Sequence, residues 1–82
     1  MTHDQIWDVL RRHVLDVLTD LRDNDVQPGR NLRELGANSL DRVDILDATL
    51  DELRLKIPAE ALGATPDLGG LVDLLHAHGE RP

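Results

Sequence analysis

The stretch Leu35-Gly36-Ala37-Asn38-Ser39-Leu40-Asp41-Arg42-Val43-Asp44-Ile45-Leu46 constrains this chain most, because it joins a turn, a helix start and a presentable hydroxyl. Gly36 relaxes the backbone before the turn. Asn38 and Ser39 are both strong helix N-caps, and apolar periodicity begins immediately after them. Ser39 is thereby placed at the positive end of a helix dipole, where backbone N–H groups favour an anion. A phosphate ester on this hydroxyl would be well placed. By position alone, Ser39 reads equally as a plain cap.

The rest of the chain reads as scaffold for that helix start. At 82 residues it is expected to form one domain with a modest core, ordered from about residue 3 to 78. Its apolar residues are nearly all Leu, Val, Ile and Ala, with Trp7 the single aromatic, which favours packed helices over a sandwich. Nine basic residues against sixteen acidic ones give a formal net charge of −7. That balance argues against nucleic acid or an anionic membrane as partner and favours basic protein surfaces. With no cysteine, disulfides, thiolate metal sites and cysteine nucleophiles are excluded, so thioester chemistry requires an imported thiol. Met1 to Gln5 is polar and no run approaches transmembrane length, so a soluble, cytoplasmic monomer is expected.

Taken in order, Thr2 and Gln5 fit a capping box opening a helix that runs to about Leu21. Ile6, Leu10, Val14, Val17 or Leu18, and Leu21 form its buried stripe, with Trp7 packing beside it. From Arg22 to Asn38 the chain reads as a long ordered loop anchored by Val26, Leu32 and Leu35. A calcium loop is not expected there, because Pro28 stands where such a loop needs glycine and no closing Glu follows. The second helix is expected from Ser39 to Leu53 or Arg54. Its apolar residues spread over roughly 220° of the circumference, more than one core-facing stripe needs. Spacing sends Ile45, Leu46 and Leu53 inward and leaves Leu40 and Val43 at the rim as a docking face. Asp44, Asp47 and Asp51 fall within about 60° of one another, and such like-charge pairs cost ~0.2–0.5 kcal/mol each. Electrostatic steering toward a basic partner accounts for keeping them better than a merely solvated face does. Lys56-Ile57-Pro58 stops the helix, Pro58 to Gly63 forms a short one, and Asp67 caps a last helix carrying Leu68, Leu71, Val72 and Leu75. Gly69-Gly70 weakens its first turn, and His78 to Pro82 reads as a frayed tail. The expected fold class is all-α: a bundle of three longer helices and one short one, with a long first loop.

Gly36-Ala37-Asn38-Ser39-Leu40-Asp41 resembles the G-x-D-S-L-[DE] motif of acyl carrier proteins, and the length and flanking helices match over nearly the whole chain. The resemblance implies a four-helix carrier bundle, 4′-phosphopantetheine attached to Ser39 by a phosphopantetheinyl transferase, and no catalytic residue of its own. It also implies that residues just after the serine meet partner enzymes. The docking set is accordingly Asn38, Leu40, Asp41, Arg42, Val43, Asp44, Asp47 and Asp51. Asn38 departs from the family's usual Asp, which keeps the cap but removes one charge. More narrowly, Gly-Ala-Asn-Ser followed by an apolar residue, Asp and Arg is similar to the freestanding donor carriers of polyketide β-branching cassettes. That likeness implies an acetyl-type cargo handed to a hydroxymethylglutaryl-synthase-like (HMG-synthase-like) enzyme. Ketosynthase-type and other acyl-transferring enzymes are further partners it implies. A fatty-acid or other general acyl carrier, and an unmodified acidic helical adaptor, stand as rival readings.

Ser39 has no neighbouring histidine in sequence and no Gly-x-Ser-x-Gly elbow, so it is not expected to act as a catalytic nucleophile. His76 and His78 point about 160° apart on a helix and cannot share an ion. His3 could join them only if the chain ends meet, and no metal site is expected.

Overall fold

A computed structural model describes residues 1–79, which form helices α1 (His3–Val17), α2 (Ser39–Leu53), α3 (Ala59–Gly63) and α4 (Leu68–Gly79), with a 3-10 turn at Asp23–Asp25. No strand is present among the described residues. The chain therefore has the all-α arrangement of three longer helices and one short one that punctuation and periodicity predict, consistent with the carrier bundle that the resemblance implies. α1 packs on both α2 and α4. Between them lies one apolar cluster, with Ile6, Leu10, Val14, Ile45, Leu68 and Leu75 almost fully sealed from water.

α1 opens as the sequence predicts. Gln5 N–H donates to Thr2 Oγ1 at 3.1 Å, and the Gln5 side chain accepts from Thr2 N–H at 2.9 Å. It ends at Val17, four residues before the expected Leu21, because Leu18 leaves the helical region at φ −99°, ψ 76°. Val17, Thr19 and Asp20 are weak helix formers, and Leu18 and Leu21 reach the core from the loop without needing another helical turn. Trp7 packs against the core at its edge.

The long loop is held as expected, with Val26, Leu32 and Leu35 buried. It is also bonded to the far end of the bundle. Leu68 N–H donates to Arg30 O and Gly69 N–H to Pro28 O, both at 2.9 Å, so loop carbonyls satisfy the first donors of α4. A Cβ on Gly69 would lie 3.3 Å from Pro28 O, which explains a glycine in a helical turn that it otherwise weakens. Asp67 caps this helix through Gly70 N–H at 2.8 Å. α4 continues through His78 to Gly79, so those two residues are helical, not tail; Glu80 to Pro82 lie outside the described residues.

α2 spans the expected residues, but the proline is not what stops it. Arg54 turns left-handed at φ 57°, ψ 43°, and Leu55 N–H then donates to Leu50 O at 2.9 Å, closing the helix before Pro58. Thr49, buried at 1 % exposure, is a core residue that apolar periodicity misses; its hydroxyl donates to Ile45 O at 2.7 Å and so needs no water.

A polar clamp joins α1 to the far end of α2. Arg12 binds Glu52 with both terminal guanidinium nitrogens, and His13 Nε2 lies 2.9 Å from Glu52 Oε1. The hydrogen bonds from Arg12, then His13, hold the Glu52 carboxyl below the usual carboxylate range. A depressed carboxylate stabilises the fold fully above its unfolded value and loses that contribution as pH falls through the folded one. The melting-temperature gap between the wild type and Glu52→Gln is therefore expected to be widest near neutral pH and to close on acidification below the usual glutamate range. A gap unchanged by acid would mean that the clamp does not depend on the charge of Glu52.

Candidate functional site

Gly36 lies at φ +99°, a left-handed conformation that favours glycine, and there the loop doubles back so that Ala37 N–H reaches Leu32 O at 3.0 Å. Ala37 is buried as the plug of this turn. The following residue, Asn38, is extended and caps α2: its Oδ1 accepts from Asp41 N–H at 2.8 Å, while Asp41 Oδ2 accepts from Asn38 N–H at 3.3 Å.

This reciprocal box decides the status of Ser39. The residue is the first of the helix, one past the cap, and the capping donor is already taken by Asn38. Its hydroxyl is thus not the plain cap that position in sequence left open. Ser39 is exposed. Its Oγ accepts from Arg42 Nη2 at 3.3 Å, and Arg42 Nη1 donates to Ala37 O at 3.0 Å. A hydroxyl at the first turn of a fifteen-residue helix, next to a guanidinium, is in a field that favours a phosphate ester. The residues present therefore fit a phosphate-linked prosthetic group.

Around the serine, Leu40 is 68 % exposed and Val43 52 %, whereas Ile45 is sealed and Leu46 and Leu53 are half-buried against the core. One helix thus carries an inner and an outer apolar face, divided as its spacing predicts. Asp44, Asp47 and Asp51 are exposed along the outer side, and no ion pair among the described residues neutralises them. Asn38, Leu40, Val43, Asp44, Asp47 and Asp51 all face solvent. Asp41 is half-buried and turned toward the cap, and Arg42 is turned inward onto its own chain. The inward bonding of Arg42 was legible only as an i,i+3 spacing from Ser39.

The histidines lie elsewhere. His13 is bonded to Glu52, which at 1.5 Å per residue is about 20 Å along the helix from Ser39. The start of α1 does meet α4: His3 stacks on His76 with ring centroids 3.9 Å apart and its Nε2 is 3.1 Å from Asp73 Oδ1. No three His, Cys, Asp or Glu residues among those described are grouped to hold a metal. No described helix is long and apolar enough to cross a membrane.

Residues 8–75 match the family model described as "Phosphopantetheine attachment site". The chain is 36 % identical over 76 residues to the polyketide biosynthesis acyl-carrier-protein AcpK of Bacillus subtilis, covering 93 % of each chain. It is 29 % identical over 76 residues to an acyl carrier protein of Clostridium perfringens, covering 93 % of this chain and all of the relative. No solved structure matches it. An exposed, uncapping serine at a helix start and a family match across most of the chain lead to one conclusion: this protein belongs to the acyl carrier protein family, which bears covalent 4′-phosphopantetheine and carries acyl groups without catalysing their reactions.

Proposed function

We propose that Ser39 is the attachment residue and that the chain works in polyketide biosynthesis as an acetyl donor to an HMG-synthase-like β-branching enzyme. The observation that carries the attachment reading is the Ser39 hydroxyl: exposed, at the first position of α2, and released from capping by Asn38. Loading joins Ser39 Oγ to the phosphorus of the pantetheine-bearing phosphate of coenzyme A and breaks the pyrophosphate bond. Adenosine 3′,5′-bisphosphate departs, and the hydroxyl proton passes to a base of the transferase. The arm's thiol supplies the sulfur for the thioester that this cysteine-free chain lacks.

The polyketide setting is supported by the similarity to the polyketide biosynthesis acyl carrier protein of Bacillus subtilis, and the donor role by the resemblance of Asn38-Ser39-Leu40-Asp41-Arg42 to the donor carriers of β-branching cassettes. Acetyl-loaded protein incubated with candidate synthases and followed by intact mass tests it. Transfer to an HMG-synthase-like enzyme should outpace transfer to fatty-acid-type ketosynthases; the reverse order would favour a general acyl carrier.

Docking is assigned to the outer face of α2. Leu40 and Val43 supply apolar contact beside Ser39, and the unpaired Asp44, Asp47 and Asp51 steer a basic partner. Asn38, Asp41 and Arg42 border that face where the arm leaves. Steering between exposed charges is screened by salt. The double reversal Asp44→Lys and Asp47→Lys is therefore expected to slow acyl transfer by about tenfold at low ionic strength and by much less near 0.5 M salt. Equal slowing at both would assign these residues to short-range contact instead.

A further inference from the structure

We infer that Arg42 is the positioning residue of Ser39, orienting its hydroxyl for loading and then holding the phosphate that loading leaves there; this rests on the reading that Ser39 carries the arm. Arginine has five N–H donors and no acceptor, so in the contact between Arg42 Nη2 and Ser39 Oγ the hydroxyl oxygen must accept. The serine's own proton is then turned away from the guanidinium and left free for an external base. A fixed positive charge against Oγ also favours the negative charge that builds on it as the proton leaves.

The guanidinium is not a freely moving surface group. Its second nitrogen is bonded to Ala37 O at 3.0 Å, inside the turn plugged by the buried Ala37. Its flank borders a cleft of about 370 Å³ walled by Leu46, Leu62 and Leu71, and the residue is half-buried. Two-point bonding and partial burial fix its direction, which lowers the entropic cost of holding a partner. Once Oγ is an ester oxygen, the same N–H groups would face the phosphorus-bound anionic oxygen of that ester, and the contact would become charge-assisted. The Asp41 carboxylate is bonded to the cap backbone, and no ion pair among the described residues joins it to the guanidinium.

The test uses the full chain with a phosphopantetheinyl transferase, following loading by intact mass and the loaded product by phosphorus NMR. Arg42→Gln is expected to lower kcat for loading about fivefold with KM changed less than about twofold, as removal of one hydrogen bond to a reacting oxygen does. Arg42→Lys, which keeps the charge but reaches one acceptor at a time, should recover part of the loss; it also serves if the glutamine variant fails to fold. In the loaded protein the phosphodiester resonance should move by more than its linewidth in Arg42→Gln. A raised KM at unchanged kcat would make Arg42 a transferase contact, and wild-type kinetics with an unmoved resonance would remove it from the site; either overturns this inference alone. No mass gain in the wild type overturns the attachment reading and this inference with it.

Discussion

Ser39→Ala is expected to abolish the gain of one phosphopantetheine arm on exposure to coenzyme A and a transferase, while leaving the melting temperature within a degree or two. Loading needs the oxygen, so its removal leaves no residual activity to measure. Stability should barely change because the cap of α2 is made by Asn38 and Asp41, and the serine side chain is exposed. Asn38→Ala provides the converse. It removes the bond to Asp41 N–H, costing about 1 kcal/mol, yet leaves the hydroxyl in place to be loaded. If Ser39→Ala lowered stability as much as Asn38→Ala does, the hydroxyl would be structural and the attachment reading would lose its support. An arm that still arrived on the alanine variant would place attachment elsewhere.

Ile45→Ala is expected to be the most damaging single substitution on α2. Ile45 is wholly buried in the middle of the cluster between α1, α2 and α4, and truncating such a residue costs roughly 2–5 kcal/mol through lost burial and the cavity left behind. A domain of this size has about 5–15 kcal/mol in total, and each kcal/mol moves its midpoint by about 4–8 °C. The variant should therefore melt at least about 8 °C lower, by the same estimate. Leu40→Ala, five residues earlier on the same helix, should change stability by no more than about 0.5 kcal/mol because its side chain is already in water. Its effect should fall on transfer between carrier and synthase. Equal destabilisation by the two would mean that Leu40 is covered in solution and that the outer face is not free for docking.

The sequence by itself determined the elements and the candidate site, because both rest on local rules. The capping box at Thr2, a cap at Asn38 or Ser39, the cap at Asp67 and the apolar spacing of α2 each act within a few residues, and each is found where the spacing places it. The division of α2 into a sealed Ile45 and an exposed Leu40 and Val43 follows from 100° per residue alone. Carrier motif and helix start coincide at Ser39, so the hydroxyl was legible without coordinates.

What only the tertiary structure decided is where the folded arrangement chooses between options that spacing leaves equal. α1 ends at Val17 because Leu18 and Leu21 find the core from the loop, a fact no local spacing contains. The left-handed Arg54 ends α2 before Pro58 is reached, and Thr49 enters the core because a helix carbonyl satisfies its hydroxyl. Gly69 suits its place because Pro28, forty-one residues earlier, lies close to where a Cβ would stand. Most consequential for the site, Asn38 takes the cap and Arg42 folds back onto Ala37 and Ser39. Spacing permits both arrangements, but the buried turn at Gly36 and Ala37 presents the carbonyl that fixes the guanidinium. Local chemistry thus names the hydroxyl, and the folded turn before it sets the charge that faces it.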